Sequence, residues 1–225
     1  MSQSFLTPRR EAWVIFADVC RIATLLCAGL ALVFWGPDKV IAFLAVTAIL
    51  LIPRAMRMPS PFDAAFALTM FISTLTGAVG WYENLVWWDK VAHFVTTGAA
   101  AAMLCLIIVA CGLVDNLFDS TKERYRTRVV VQTTSLGLSI AVIWEMMEWI
   151  YKDINTDDPP ATYLDTMADL MSGAVGSVIA GGILLMWARS GGSMAGRGTA
   201  GTPGRIGGAA QRDPHQLTDV EETGN

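Results

Sequence analysis

Charge is what this sequence has least of. Asp, Glu, Lys and Arg make up 16% of its 225 residues, where a soluble domain carries about a quarter, and the mean hydropathy is positive. The formal net charge of −4 sits in loops and at the C-terminal end, and no nucleic-acid surface is indicated. Cysteine is scarce as well. Cys20, Cys27, Cys105 and Cys111 all fall within apolar runs and show no metal-ligand spacing. They read as small buried apolar residues, not a disulfide framework. No small-residue cleavage site stands out after the first apolar run, which leads straight into others, so a cleavable signal peptide is not expected. No internal repeat is strong enough to use.

Apolar residues fill the space, at 53% of the chain with eight tryptophans. The expected fold class is all-α, a polytopic membrane helical bundle with six transmembrane helices. A polar lead of residues 1–15 carries Arg9 and Arg10. The membrane domain spans 16–187. Its six apolar runs are Phe16 to Trp35, a short one from Val40 to Ile52 ending at Pro53, Phe62 to Trp81, Trp87 to Leu113, Val129 to Tyr151, and Tyr163 to Trp187. Arg21, near the start of the first, is expected to snorkel to the surface. Gly36-Pro37-Asp38-Lys39 is expected to be a tight turn, and Glu83-Asn84 a brief connection. Residues 188–225, rich in Gly, Ala and Thr, are expected to be a disordered tail in which His215 is inert.

Basic residues set the orientation. The lead, the loop with Arg54 and Arg57, the loop from Lys122 to Arg128, and the tail with Arg189 and Arg197 carry them. In the alternate loops Lys39 is balanced by Asp38, Glu83 stands without a base, and acids outnumber Lys152. Six spans with both termini in the cytoplasm satisfy this pattern without exception.

Against that background a few polar residues are out of place. Trp87-Trp88-Asp89-Lys90-Val91-Ala92-His93-Phe94 opens an apolar run with an acid, a base and an imidazole. An ionised side chain at bilayer depth costs about 2.5–3.5 kcal/mol even on the lenient insertion scale. Asp89 and His93 are four apart and share a helix face, as do Asp165 and Asp169, while Glu145 and Glu148 are three apart. The charge-derived topology puts all three pairs at one depth, the outer edge, so they are expected to meet there. Five carboxylates and an imidazole in a low-dielectric pocket need compensation by protons or a cation. Lys90 and Lys152 supply some. A divalent metal would supply more, with Asp89, His93, Glu145, Glu148, Asp165 and Asp169 as candidate ligands. Oxygen-rich ligation with one nitrogen suits Mg²⁺, Mn²⁺, Zn²⁺ or Fe²⁺.

Plainer roles stand beside these. Asp89 and Asp165 are also expected as helix N-caps, and His93 alone would serve as a hydrogen-bonding group between helices. The tryptophans read as interface anchors. Gly98 to Ala102, Gly173, Gly176, Gly181 and Gly182 read as close-packing positions, and Met146 and Met147 as core filler.

The D-K-x-x-H-F at Asp89 to Phe94, W-E-x-x-E-W at Trp144 to Trp149, and Y-x-D-T-x-x-D-L at Tyr163 to Leu170 followed by G-A-x-G at Gly173 to Gly176 together resemble the YjdF-type bacterial inner-membrane proteins. More loosely they are similar to VanZ-like proteins, from which the chain departs at Glu148 and Trp149. The resemblance covers about residues 60–187 and implies a small multi-pass protein of the bacterial cytoplasmic membrane, without delivering an activity. Three functions stay open. One is a metal-dependent enzyme acting on a membrane lipid or lipid-linked phosphate. There Asp89 or His93 would be ligand or base, and Lys90 would face the developing negative charge. The second is a cation or proton transporter. The third is a non-catalytic envelope scaffold or partner-binding protein.

Overall fold

The computed structural model describes residues 7–114, 117–154 and 162–192. Most of the tail expected to be disordered, His215 with it, lies outside the described residues, as does the acidic stretch 155–161. The described residues form helices joined by turns and contain no strand. In chain order the helices are α1 (Thr7–Phe34), α2 (Pro37–Ala55), α3 (Ser60–Ala78), the single turn α4 (Trp81–Asn84), α5 (Val86–Ala110), α6 (Tyr125–Ile154) and α7 (Tyr163–Arg189).

The long helices follow the apolar runs, with differences at their ends. α1 begins inside the expected polar lead. The expected turn at residues 36–39 shrinks because Pro37 opens α2 at its first position, where a missing N–H costs nothing. Gly36 alone makes the turn, at φ 95°. Pro53 does not stop α2, which continues to Ala55. That close to a C-terminus it forfeits little of the hydrogen-bond ladder, and its own carbonyl accepts from Met58 N–H at 2.9 Å. The Glu83-Asn84 connection is the turn α4. α6 starts four residues earlier than Val129, so Arg126 and Arg128 ride on its first turn.

The helices pack as two groups of three. α1, α2 and α3 pack on one another, α7 packs on both α5 and α6, and α3 joins the groups by lying against α5. Small side chains set the spacing. A Cβ on Gly176 would lie 2.0 Å from the Phe94 carbonyl oxygen, and one on Gly98 2.8 Å from that of Gly176, so α5 and α7 touch backbone to backbone. Gly173 and Gly181 are similarly crowded, against Thr97 and Val130. Gly182, expected in the same role, has nothing near it.

The outer faces are as apolar as the inner ones. On α1, Ala17, Cys20, Ala28 and Ala31 are buried while Ile15, Ile22, Leu26 and Val33 are exposed. A helix facing water would not present such a stripe. The helical segments Ala12–Phe34, Trp87–Ala110, Tyr125–Ile154 and Tyr163–Arg189 are long and apolar enough to cross a bilayer. α2 and α3, at 19 residues each, are shorter; Asp38 and Lys39 lie in the first turn of α2, Arg54 in its last, and Asp63 in the first turn of α3. Two packing expectations are overturned. Met146 and Met147 are not core filler but point outward, 57% and 61% exposed. Of the cysteines, Cys20 and Cys105 are buried, Cys27 is half-buried and Cys111, one residue past α5, is exposed.

Candidate functional site

The site is built at one end of the α5–α6–α7 group. The first turns of α5 and α7 meet the last turns of α6, and each carries its polar pair to that end. Neither Asp89 nor Asp165 is an N-cap, as the sequence had suggested. α5 starts after Leu85 with no side-chain cap, and α7 is capped by Thr162, whose Oγ1 accepts from Asp165 N–H at 3.3 Å. Both acids lie within the first turn instead, where a negative charge complements the helix dipole and the side chain is free to face its neighbours.

The side chains form a connected network. Lys90 pairs with Asp165 Oδ1 and lies 3.3 Å from both Asp89 Oδ2 and Asp169 Oδ1, tying α5 to α7. His93, on the next turn, is buried between carboxylates on either side. Its Nε2 is 3.5 Å from Asp89 Oδ1 and its Nδ1 3.7 Å from Glu145 Oε1. Glu148 Oε1 accepts from Lys152 Nζ at 2.6 Å. Thr166 of α7 lies in hydrogen-bonding reach of Glu145. Five carboxylates thus face two lysines and a histidine. Asp165 is the outermost, its side chain 41% exposed, and Asp169 the deepest at 3%.

Among the described residues, Glu145 Oε1 and Asp169 Oδ1 are buried and make no well-aligned hydrogen bond, though Asp169 Oδ1 lies 3.3 Å from the Lys90 ammonium. Glu145 Oε1 is therefore the orphan, and such orphans are rare because the desolvation cost goes uncompensated. Both residues belong to three-residue groups that could supply one ligand atom apiece within 4.8 Å of each other, Asp89–His93–Asp169 and His93–Glu145–Glu148. His93 is common to both. Asp165 is in neither, and meets the network through Lys90.

A model for the family described as predicted membrane proteins, DUF2238, matches residues 14–190. The chain belongs to the DUF2238 family. This is the YjdF type indicated by the three motifs, and with several long apolar helices the protein is a multi-pass membrane protein. No curated protein and no solved structure matches the chain.

Sequence reasoning missed a second ionic cluster in this DUF2238 protein. Arg21 does not snorkel. It is buried, donates from Nε to the Leu50 carbonyl at 2.9 Å, pairs with Asp63, and reaches Asp18 Oδ1 at 2.9 Å. Arg54 Nε adds a contact to Asp18 Oδ1 at 3.1 Å. The signal was present. Asp63 is an acid inside an apolar run, and Asp18 and Arg21 are three apart on α1, the features that singled out Asp89 and His93. The tryptophans divide. Trp144 and Trp149 are exposed on α6. Trp88 instead packs edge-on against Trp81, ring centroids 5.3 Å apart, and donates its Nε1–H to Thr76 Oγ1 at 3.0 Å, walling the site from the α3 side.

Proposed function

We propose that this DUF2238 protein is a six-span protein of the bacterial cytoplasmic membrane, both termini cytoplasmic, that holds a divalent cation in its acidic/His pocket at the extracytoplasmic end. There it acts on a lipid or lipid-linked phosphate. The observation that carries this reading is the buried, unpartnered Glu145 Oε1 beside the His93 that both candidate ligand groups share. Burying a carboxylate without a partner is costly, and a cation is the compensation that also satisfies the remaining lone pairs. The basic-residue asymmetry of the loops supports the orientation. α2 and α3, at 19 residues each, amount to about 28 Å of helix, close to the ~30 Å of a bilayer core.

The donor set fits a hard or borderline divalent ion, carboxylate oxygens with one imidazole nitrogen and no thiolate. When bound, such an ion supplies Lewis-acid chemistry, lowering the pKa of water and polarising a phosphoryl oxygen. The chain's own groups do the rest. Asp165, half-exposed at the rim, and Lys90 behind it set the charge met by an approaching headgroup. Trp81, Trp87 and Trp88 give an apolar flank suited to acyl chains beside a polar headgroup. Transport has less to stand on. Of the hydroxyls on α6 and α7, Ser177 is bonded to the Gly173 carbonyl at 2.7 Å and Thr133 to that of Val129 at 2.8 Å, while the buried Thr134 Oγ1 has no partner among the described residues.

Elemental analysis of the purified protein tests the cation. Wild-type protein retains a divalent metal, and the Glu145→Ala/Asp169→Ala double variant loses it. No metal in either sample removes the proposal. Phosphate release from a lipid-linked pyrophosphate in mixed micelles, dependent on added Mn²⁺ or Zn²⁺ and absent in the double variant, tests the chemistry. Metal retention with silent micelles leaves a cation site without this activity.

A further inference from the structure

The two candidate triads meet at one imidazole, and a neutral imidazole has one lone pair and one N–H. If Nδ1 ligates, Nε2–H donates, and the reverse. His93 therefore serves one ion, and the question is on which side of the ring it sits.

The lysines decide. On the Nε2 side the positive charge is already in place, because the Lys90 ammonium is held by Asp89, Asp165 and Asp169 on two helices. An ion bonded to Asp169 Oδ1 would sit within about 6 Å of that ammonium, given a 3.3 Å separation and a ligand bond of about 2.0–2.6 Å. On the Nδ1 side, Glu145 Oε1 is buried, with a side chain 9% exposed, and what faces it is the ring. Their 3.7 Å separation is too long for a hydrogen bond. It is the spacing of two ligands on one ion with bonds of about 2.0–2.2 Å. Lys152 does guard this side, but among the described residues it pairs with Glu148, one turn back on the same helix near its end. That pairing is within α6, not a tie between helices.

We propose that one divalent ion binds on the Nδ1 face, held by His93, Glu145 and Glu148, and that Asp89 and Lys90 are positioning residues. The order across the site is Lys90 ammonium, Asp89 carboxylate, His93 ring, ion, then the two glutamates of α6. Asp89 Oδ1, one turn before His93 and 3.5 Å from Nε2, faces that nitrogen and favours the tautomer with its proton there. Lys90, 3.3 Å from Asp89 Oδ2, holds Asp89 in place. Asp169, which shares Lys90, is not a ligand. One nitrogen with two carboxylates favours Zn²⁺, Mn²⁺ or Fe²⁺ over Mg²⁺, which takes oxygen and water in strict octahedral geometry. This assignment rests on the cation reading above and divides its six candidate ligands.

The test is calorimetric titration of metal-depleted, full-length protein in detergent with Zn²⁺, with elution profile and helical circular dichroism recorded for every variant. Wild type takes one Zn²⁺ per chain. Glu145→Gln and the half-exposed, fold-safe Glu148→Gln each weaken binding at least 100-fold. Asp89→Asn weakens it about 10–100-fold, the range for losing a carboxylate that orients a ligating histidine. Asp169→Asn and Asp165→Asn stay within about threefold. Two ions per chain, or a loss in folded Asp169→Asn as large as in folded Glu148→Gln, overturns this assignment and leaves the cation reading standing. A wild type that takes up no Zn²⁺ overturns both.

Discussion

Arg21 illustrates how much one side chain does when water is scarce. Its guanidinium spends donors on Asp18, Asp63 and the Leu50 carbonyl, so α1, α2 and α3 are all tied through one group. Breaking a buried pair from one side leaves the other charge stranded. Arg21→Met is expected to lower the unfolding free energy by about 3–5 kcal/mol, read as a drop in the thermal midpoint of the detergent-solubilised protein. Replacing both partners, Arg21→Met with Asp63→Leu, restores most of that loss, because an apolar pair needs no compensation in an apolar surrounding. If the double variant is no better than the single, Arg21 matters through Leu50 or Asp18 and not through Asp63. The same logic separates the two lysines of the candidate site. Lys90 bridges α5 and α7, whereas Lys152 pairs within α6, so losing Lys90 destabilises the helix group more.

At the scale of helices, what matters is how closely α5 and α7 approach. Phe94 and Gly176 lie at their contact, and His93 and Asp169 sit just above it toward the site. Gly176→Ala puts a methyl group 2.0 Å from a backbone oxygen, and backbone cannot rotate away. The helices must part, at a cost of about 1–3 kcal/mol, the usual range for overpacking. Prying them apart also moves His93 from Asp169, which is not among the proposed ligands, so the thermal midpoint is expected to fall while Zn²⁺ affinity changes little, as for Asp169→Asn. Gly182→Ala is the control on the same helix. Nothing lies within 4 Å of its would-be Cβ, so helix propensity alone acts and the change stabilises by up to about 1 kcal/mol. Equal destabilisation by both substitutions would show that propensity, not the α5–α7 contact, governs α7. From sequence both glycines looked alike, since each sits in an apolar helix rich in small residues. Only the rotation of α7 against its neighbours tells them apart.

Across the whole molecule each three-helix group gathers its charges in one cluster. Asp18 and Arg21 midway along α1 meet Arg54 at the end of α2 and Asp63 at the start of α3, and the acidic/His network joins the starts of α5 and α7 to the end of α6. α3 runs between the two clusters, with Asp63 in its first turn and Thr76, the acceptor for Trp88, near its end. Thirteen residues of helix separate those positions by about 20 Å, so the clusters lie at opposite ends of α3. In the proposed topology the Arg21 cluster is cytoplasmic and the acidic one external. Labelling with a membrane-impermeant thiol reagent tests this in a Cys111→Ser background, needed because Cys111 is exposed. Cysteines placed at Lys39 and Asp157 are expected to react in intact cells, and one at Lys122 only after permeabilisation. The opposite pattern would invert the protein and move the candidate site to the cytoplasmic leaflet.

The helical runs, the membrane class and the three polar pairs were legible in the chain itself. Length, low charge and an acid within an apolar stretch are local properties, and residues three or four apart share a helix face whatever surrounds them. What the chain left undecided was the rotation of each helix about its axis. In a soluble protein that rotation is read from which face is apolar. Here the packed face and the outer face are both apolar, so the periodic signal vanishes. Met146 and Met147 could therefore be taken for core, and Arg21 for a surface group. Only the packed bundle settled which carboxylates Lys90 holds, and that Glu145 Oε1 is buried without a donor. Such a pairing depends on distances between helices far apart in sequence, which no local pattern records.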